Sequence, residues 1–249
     1  MDQFKFSIGP FELFSSTMAG TPILFAIFLL YQPIVSLRDV IPVIRNNSII
    51  SIFVSLVIIS YLLGGLCTVI TWRYFLYLCK IFRIDYSYIG MKIIEKMKKI
   101  EVVPADLRIE GLDFEDRLIY LLIQKIGVVK RLSLLDARLI SYLRLHSLQT
   151  VSIAESHLAF HIMYRTLSFG FLLLTLVLFT NIFRTATFTV EQISLPIFSI
   201  GLSFAAFRMA VSFRKWRNRE IVLCFYHLAN GERREIREQT EITEHTEVI

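Results

Sequence analysis

IISIFVSLVIISYLLGGLCTVITW, Ile49–Trp72, carries no charged side chain and as an α-helix is long enough to cross the ~30 Å hydrocarbon of a bilayer. Three other stretches read the same way: Thr17–Ser36, Thr166–Phe183 and Ile193–Phe213, the last with one charge, Arg208. They stand two and two around a charged middle. The pattern predicts an all-α integral membrane protein with four transmembrane helices and a helical cytoplasmic domain inserted between helices 2 and 3.

The composition agrees. Mean hydropathy is +0.58. Of the 249 residues 55% are hydrophobic, and the charged 19% crowd into the middle and the C-terminal tail instead of covering a soluble surface. Met1–Gly9 has one Lys, and the first apolar run ends Tyr31-Gln32-Pro33. A secretory leader needs a basic start and a small-residue cleavage site, so the first stretch reads as a retained span.

Expected in order are an interfacial N-terminal segment (1–16), a transmembrane hairpin (17–72), the helical cytoplasmic domain (73–165), a second hairpin (166–213), a basic juxtamembrane segment (214–230) and a disordered tail (231–249).

Lys and Arg set the orientation. Residues 73–165 hold 15 Lys and Arg against 10 Asp and Glu, and the tail opens Arg214-Lys215-Trp216-Arg217-Asn218-Arg219. The loop between spans one and two offers Arg38 and Arg45, and that between spans three and four Arg184. The positive-inside rule then places both termini and the middle in the cytoplasm, at the cell membrane. Trp72 and Trp216 suit the interfacial aromatic belt.

A net charge of +6 and a pI near 9.3 resemble a nucleic-acid binder. The excess lies beside span ends, so topology and anionic headgroups account for it, at ~1 kcal/mol per basic residue near the surface. No nucleic-acid partner is expected. Arg73, Lys80, Arg83, Arg165, Arg208, Arg214, Lys215, Arg217 and Arg219 are the residues expected to meet headgroups or a partner. Arg208, within a span, lies close enough to the cytoplasmic end to snorkel.

Cys67, Cys79 and Cys224 form no C-x-x-C pair and imply no disulfide framework. Asn46-Asn47-Ser48 matches a glycosylation sequon, though a helix N-cap suits it better so near the membrane.

No proline falls between Ile49 and Ile100, and neither proline nor glycine between Val128 and Arg165, so spans two and three can continue as helices into the cytoplasm. Pro104 and Gly111 bracket a turn. Asp113 with Asp116, and Ser133 with Asp136, read as N-cap signals opening helices near 114–129 and at 133. Ser152 with Glu155 marks a further start, although a continuous helix through Gln149–Ile153 is favoured. Leu132, Leu135, Leu139, Tyr142 and Leu143 make an apolar stripe with Arg138 and Arg144 off it.

Four constellations carry the functional reading. His157 and His161 share a helix face with Arg165 one turn on; the spacing suits zinc but a closed site takes four ligands, so a polar stripe is the better account and no metal or cofactor is expected. Asp113, Glu115 and Asp116 form an acidic cluster that suits a helix N-terminus better than a divalent ion. Small residues recur at four-residue steps, Ser60, Gly64 and Thr68 in span two and Gly201 with Ala205 in span four, beside Ser199 with Ser203 and Ala206 with Ala210. These rows predict packing of spans two and four on each other or between copies. No phosphate-binding loop, nucleophile elbow, zinc-protease or EF-hand motif is present.

A non-enzymatic membrane component follows, of a bacterial inner membrane, answering a signal or partner as a pore-forming, effector or sensor subunit. Its expected partners are the bilayer and either further copies or another protein bound through 73–165. The alternatives are an enzyme acting on lipid or lipid-linked phosphate through His157, His161 and Arg165, and a structural subunit of a larger complex.

Overall fold

The computed structural model describes residues 10–31, 49–99, 112–185 and 189–246. The N-terminal segment as far as residue 9, the sequon at Asn46–Ser48 and the Pro104–Gly111 turn lie outside them. The described residues form eight helices and no strand: α1 (Pro10–Tyr31), α2 (Ile49–Leu66), α3 (Thr68–Ile81), α4 (Gly90–Lys99), α5 (Phe114–Ile126), α6 (Leu132–His146), α7 (Leu148–Thr185) and α8 (Val190–Thr246).

Three stretches are long and apolar enough to cross a membrane: Leu13–Tyr31, Leu148–Thr185 and Gln192–Gly231. The pair Val54–Leu66 and Thr68–Ile81 makes a fourth if its two arms, bent by 55°, count as one span. The uninterrupted helix expected from Ile49 to Ile100 is thus broken twice. The first break follows Gly64-Gly65, which lack a Cβ to stiffen the turn, and Thr68 Oγ1 turns back onto the Gly64 carbonyl at 3.3 Å.

The second break ends α3. Ile84 N–H donates to the Cys79 carbonyl (2.9 Å) and Arg83 N–H to that of Lys80 (3.3 Å), the two bonds of a Schellman cap, with Arg83 at φ 52 in the left-handed position glycine usually fills. Because a Cβ is strained there, Arg83→Gly is expected to raise stability by about 1 kcal/mol, read as an upward shift in thermal unfolding.

The chain divides into two compact units. The first comprises Met1–Tyr86 and Leu158–Phe213, the second Ser87–His157 and Arg214–Ile249. Helices α7 and α8 each contribute residues to both.

In the first unit α1 lies directly on α2. A Cβ at Gly20 would fall on the Ser60 carbonyl oxygen, and one at Gly64 on that of Ser16. The row Ser60, Gly64 therefore packs span one, not span four as the spacing suggested. Helix α1 also meets α7, where Gly170 rests on Pro22 and Ile23. At the far end of α1, Asn181 Nδ2 and Arg184 Nη1 donate to the carbonyls of Leu29 (3.1 Å) and Leu30 (3.0 Å), satisfying groups that a helix C-terminus leaves open.

Helix α8 presents three rows of small residues to three surroundings. Ser199 and Ser203 donate to the Phe171 and Ser168 carbonyls of α7, at 2.8 and 2.7 Å. Ala206 and Ala210 are buried, Ala210 beside Phe75 and Cys79 of α3. Gly201 and Ala205 are exposed, with nothing near enough to touch a Cβ at Gly201. Helix α3 and the residue after it meet α8 through Phe75, Phe82 and Phe207, away from the Gly201–Ala205 row.

The second unit has its own apolar core. Leu135, Leu139 and Leu143 of the predicted stripe pack with Leu118, Leu122, Ile221 and Phe225, while Arg138 and Arg144 face outward. Asp113 caps α5 by accepting from Phe114 N–H at 2.9 Å. The acidic cluster beside it is met by lysines: Lys96 Nζ lies 2.8 Å from Asp116 and 3.3 Å from Glu115, and Lys92 3.5 Å from Glu115. The Asp116 hydrogen bond holds the Lys96 ammonium above the ordinary lysine range.

The N-cap of α6 is Arg131 and not the expected Ser133, whose expected partner in the cap, Asp136, is engaged elsewhere. Asp136 binds Arg217 at 2.9 Å and lies 3.9 Å from Arg214. Arg217, expected to meet headgroups or a partner, is 4% exposed and held inside the unit, while Arg214 is partly exposed. Asp136→Ala leaves Arg217 buried without its carboxylate and is expected to cost about 2 kcal/mol, less than a fully buried pair because Asp136 is partly solvated; thermal unfolding of the purified protein measures it.

Helix α7 begins at Leu148 without a break at Gln149–Ile153; the interruption is Ser147, between α6 and α7. Helix α8 continues past Gly231 to Thr246, into the stretch whose composition reads as a disordered tail.

Candidate functional site

Polar side chains concentrate in the first unit around Arg165 of α7, which is 5% exposed. Its Nε donates to Thr71 Oγ1 at 3.2 Å and its Nη2 to the Thr68 carbonyl at 3.0 Å, in the first turn of α3 just past the 55° bend. Thr71 Oγ1 also lies 3.3 Å from Thr166 Oγ1. The guanidinium carbon sits 5.2 Å from the centre of the Trp72 ring, a cation–π contact. An irregular stretch of backbone within an apolar span needs protein partners for its polar groups, and Arg165 supplies donors there.

His161, one turn before Arg165, is fully buried. Its ring packs edge-on against Phe75 (4.8 Å between centres) and Trp72 (6.0 Å). Its Nδ1 is 2.9 Å from the Ala210 carbonyl of α8, which can only accept, so Nδ1 carries the proton. Nε2 is then the acceptor facing Arg165 Nη1 at 3.5 Å. Histidine in this arrangement is the neutral Nδ1–H tautomer. A continuous polar path results, from Ala210 through His161 and Arg165 to Thr71 and Thr166, joining α8, α7 and α3.

A second polar strand lies one turn further along α7. Tyr74 hydroxyl is 3.2 Å from Ser168 Oγ, which is 3.4 Å from Ser203 Oγ. Polar and ionisable groups inside a membrane unit are costly, and their usual place is a functional interior.

The predicted site residues separate accordingly. Arg165 points inward, not to headgroups, because Thr68, Thr71 and Trp72 of α3 give its guanidinium acceptors and a ring face. Arg214 and Arg217 are bound to Asp136. Arg73, Lys80, Arg83, Arg208, Lys215 and Arg219 are exposed. Trp72 is half-buried against Phe75 and Arg165, while Trp216 is exposed and faces His157 at 6.2 Å. Both ring nitrogens of His161 have partners, and among the described residues no three His, Cys, Asp or Glu side chains group closely enough to hold a metal ion.

Thr68, Thr71, Trp72, Phe75 and Ala210 belong to the site without having been marked by the sequence as its members. The one available signal was the line of Thr68, Thr71, Thr166 and Ser168 in otherwise apolar stretches, hydroxyls that in lipid must face protein. Comparison with protein-family models, with curated proteins and with solved structures gives no match.

Proposed function

We propose that this chain is a non-enzymatic, multi-pass component of a bacterial inner membrane. Its four spans respond to a partner or signal received by the helical unit between spans two and three. The bent pair α2–α3 counts as the second span, and both termini and residues 87–157 face the cytoplasm, in keeping with the distribution of Lys and Arg.

The observation carrying this reading is the buried Arg165 docked at the bend of the second span. A span break whose backbone is satisfied by one charged side chain depends on that side chain, and a responsive membrane element is built on such a dependence. Helices α7 and α8, each contributing residues to both units, supply the route by which an event at the second unit reaches the first. The response is assembly or conduction, with further copies or a second protein as the partner. His161, both nitrogens engaged, does not favour the lipid-enzyme alternative.

Native mass spectrometry of the full chain, extracted in mild detergent with its endogenous partners, tests this. A homo-oligomer or a defined complex with another protein is expected. A lone monomer that neither assembles nor carries ions in liposomes would overturn it.

A further inference from the structure

Helix α6 buries one stripe and leaves the opposite one bare. Leu135, Leu139 and Leu143 pack with Ile221, Val222 and Phe225 of α8. By helical spacing Leu134, Arg138, Ser141 and Leu145 line the other side. Leu134 is 43% and Leu145 83% exposed, and Leu148, which opens α7, is 73% exposed. Leucines at both ends of an outer face, with the small Ala137 and Ser141 between them, are the anchors of a contact that receives a helix.

The same face is basic. Lys130 and Arg131 at its start, Arg138 in its middle and Arg144 near its end are all exposed, and Arg144 meets Glu155 of α7 at 3.3 Å. Two simple covers fit poorly. A bilayer surface takes up an unbroken apolar face, whereas Arg138 stands within this row and is tied down, its Nη1 donating to the Ile126 carbonyl at 2.6 Å. The α6 face of a second copy would bring like charges together.

The chain carries a better occupant at the end of α8. Ala229 is buried in the apolar core, Gly231 is exposed, and residues 230–246 continue the helix for roughly 25 Å. From 232 to 249 the sequence has six Glu against three Arg. Glu235, Glu238 and Ile242 recur there at three- and four-residue steps, with Arg233 and Arg237 off the row. An unbroken helix cannot turn back onto the far side of its own α6, whose inner stripe it already covers. The occupant therefore belongs to another copy.

We propose that the acidic end of α8 from a second copy docks along the bare face of α6, its glutamates among the four cations and its apolar residues against Leu134 and Leu145. The exchange is reciprocal, each copy giving one helix end and receiving one, which closes a two-fold dimer. This rests on the assembly of further copies proposed above and names the surface that joins them.

The test uses the full chain in mild detergent with a photo-crosslinking residue, Leu134→benzoylphenylalanine or Leu145→benzoylphenylalanine. Covalent dimers on denaturing gels are expected from both positions, with peptide mapping placing the new bond in residues 232–249. Yield should fall about tenfold in Lys130→Glu with Arg131→Glu, and likewise in Glu235→Lys with Glu238→Lys, but not in Gly201→Leu. The second charge reversal decides alone if the first fails to fold. The proposal is overturned by crosslinks to lipid, to a different protein, to the other copy's α6 or within one chain, by no crosslink at all, by yield that survives the charge reversals, or by an equal loss in Gly201→Leu. Native mass spectrometry of the same samples separates the two claims. An oligomer without these crosslinks sinks the docking surface and leaves the responsive reading standing, whereas a lone monomer sinks both.

Discussion

Gly20→Leu and Gly64→Leu are each expected to abolish a stable first unit, while Gly201→Leu leaves its folding intact. In lipid, helices gain little from burying apolar surface against each other, so α1 and α2 are held by close backbone approach and packing. A Cβ at Gly20 lands on the Ser60 carbonyl and one at Gly64 on the Ser16 carbonyl, and both obstacles are backbone with no flexible side chain to give way. Overpacking of ordinary cores costs roughly 1–3 kcal/mol, and backbone against backbone lies at or beyond the upper end of that range. Gly201 has nothing within reach of an added side chain. Thermal unfolding and limited proteolysis in detergent separate the outcomes: early cleavage and a collapsed transition for the first two, and wild-type behaviour for the third.

The next largest effect is at Arg165. Arg165→Leu removes the donors to the Thr68 carbonyl and Thr71 Oγ1 at the bend, and the cation over Trp72. Hydrogen bonds from a charged donor contribute about 1.5–3 kcal/mol each, and the measured membrane values fall lower, so a loss on the order of 3 kcal/mol is expected. Arg165→Lys retains the charge but not the planar fork that reaches two acceptors at once, and should fall between. If Arg165 holds the bend, proteolytic or labelling access near Cys67 rises in Arg165→Leu before the rest of the unit loosens. Uniform loosening would instead make Arg165 a general core residue.

The sequence exposed the apolar spans because ~20 uncharged residues in a row have few other uses. It exposed α6 as well, since Leu135, Leu139 and Leu143 keep helical spacing and all three are buried. The bend after Leu66 stayed hidden, because Gly64-Gly65 serves equally as a packing row and as a hinge, and only the third dimension separates the two. The end of α3 stayed hidden because Arg83, not glycine or asparagine, takes the left-handed position.

Arginine was the least legible residue type. Arg165, Arg214 and Arg217 stand at the edges of apolar runs, which in sequence reads as headgroup contact. Their partners decide otherwise and lie far along the chain: Thr71 is 94 residues from Arg165, and Asp136 is 81 from Arg217. Local spacing carries no information on such pairs. Lys80, Lys215 and Arg219 look identical in sequence and are exposed.

The central claim is that α2 and α3 together cross the membrane once, making four spans. A bent pair of this kind can also dip in and return on one side. The two arrangements differ in one respect: whether the segment before α2 and the unit after α3 lie on opposite sides or the same side. Reporter or single-cysteine accessibility at residues 40 and 120, read in intact cells and inverted vesicles, decides it directly. Opposite sides, with 120 and the C-terminus both cytoplasmic, is the expected result. Residues 40 and 120 on the same side would make the pair re-entrant, reduce the spans to three and contradict the account.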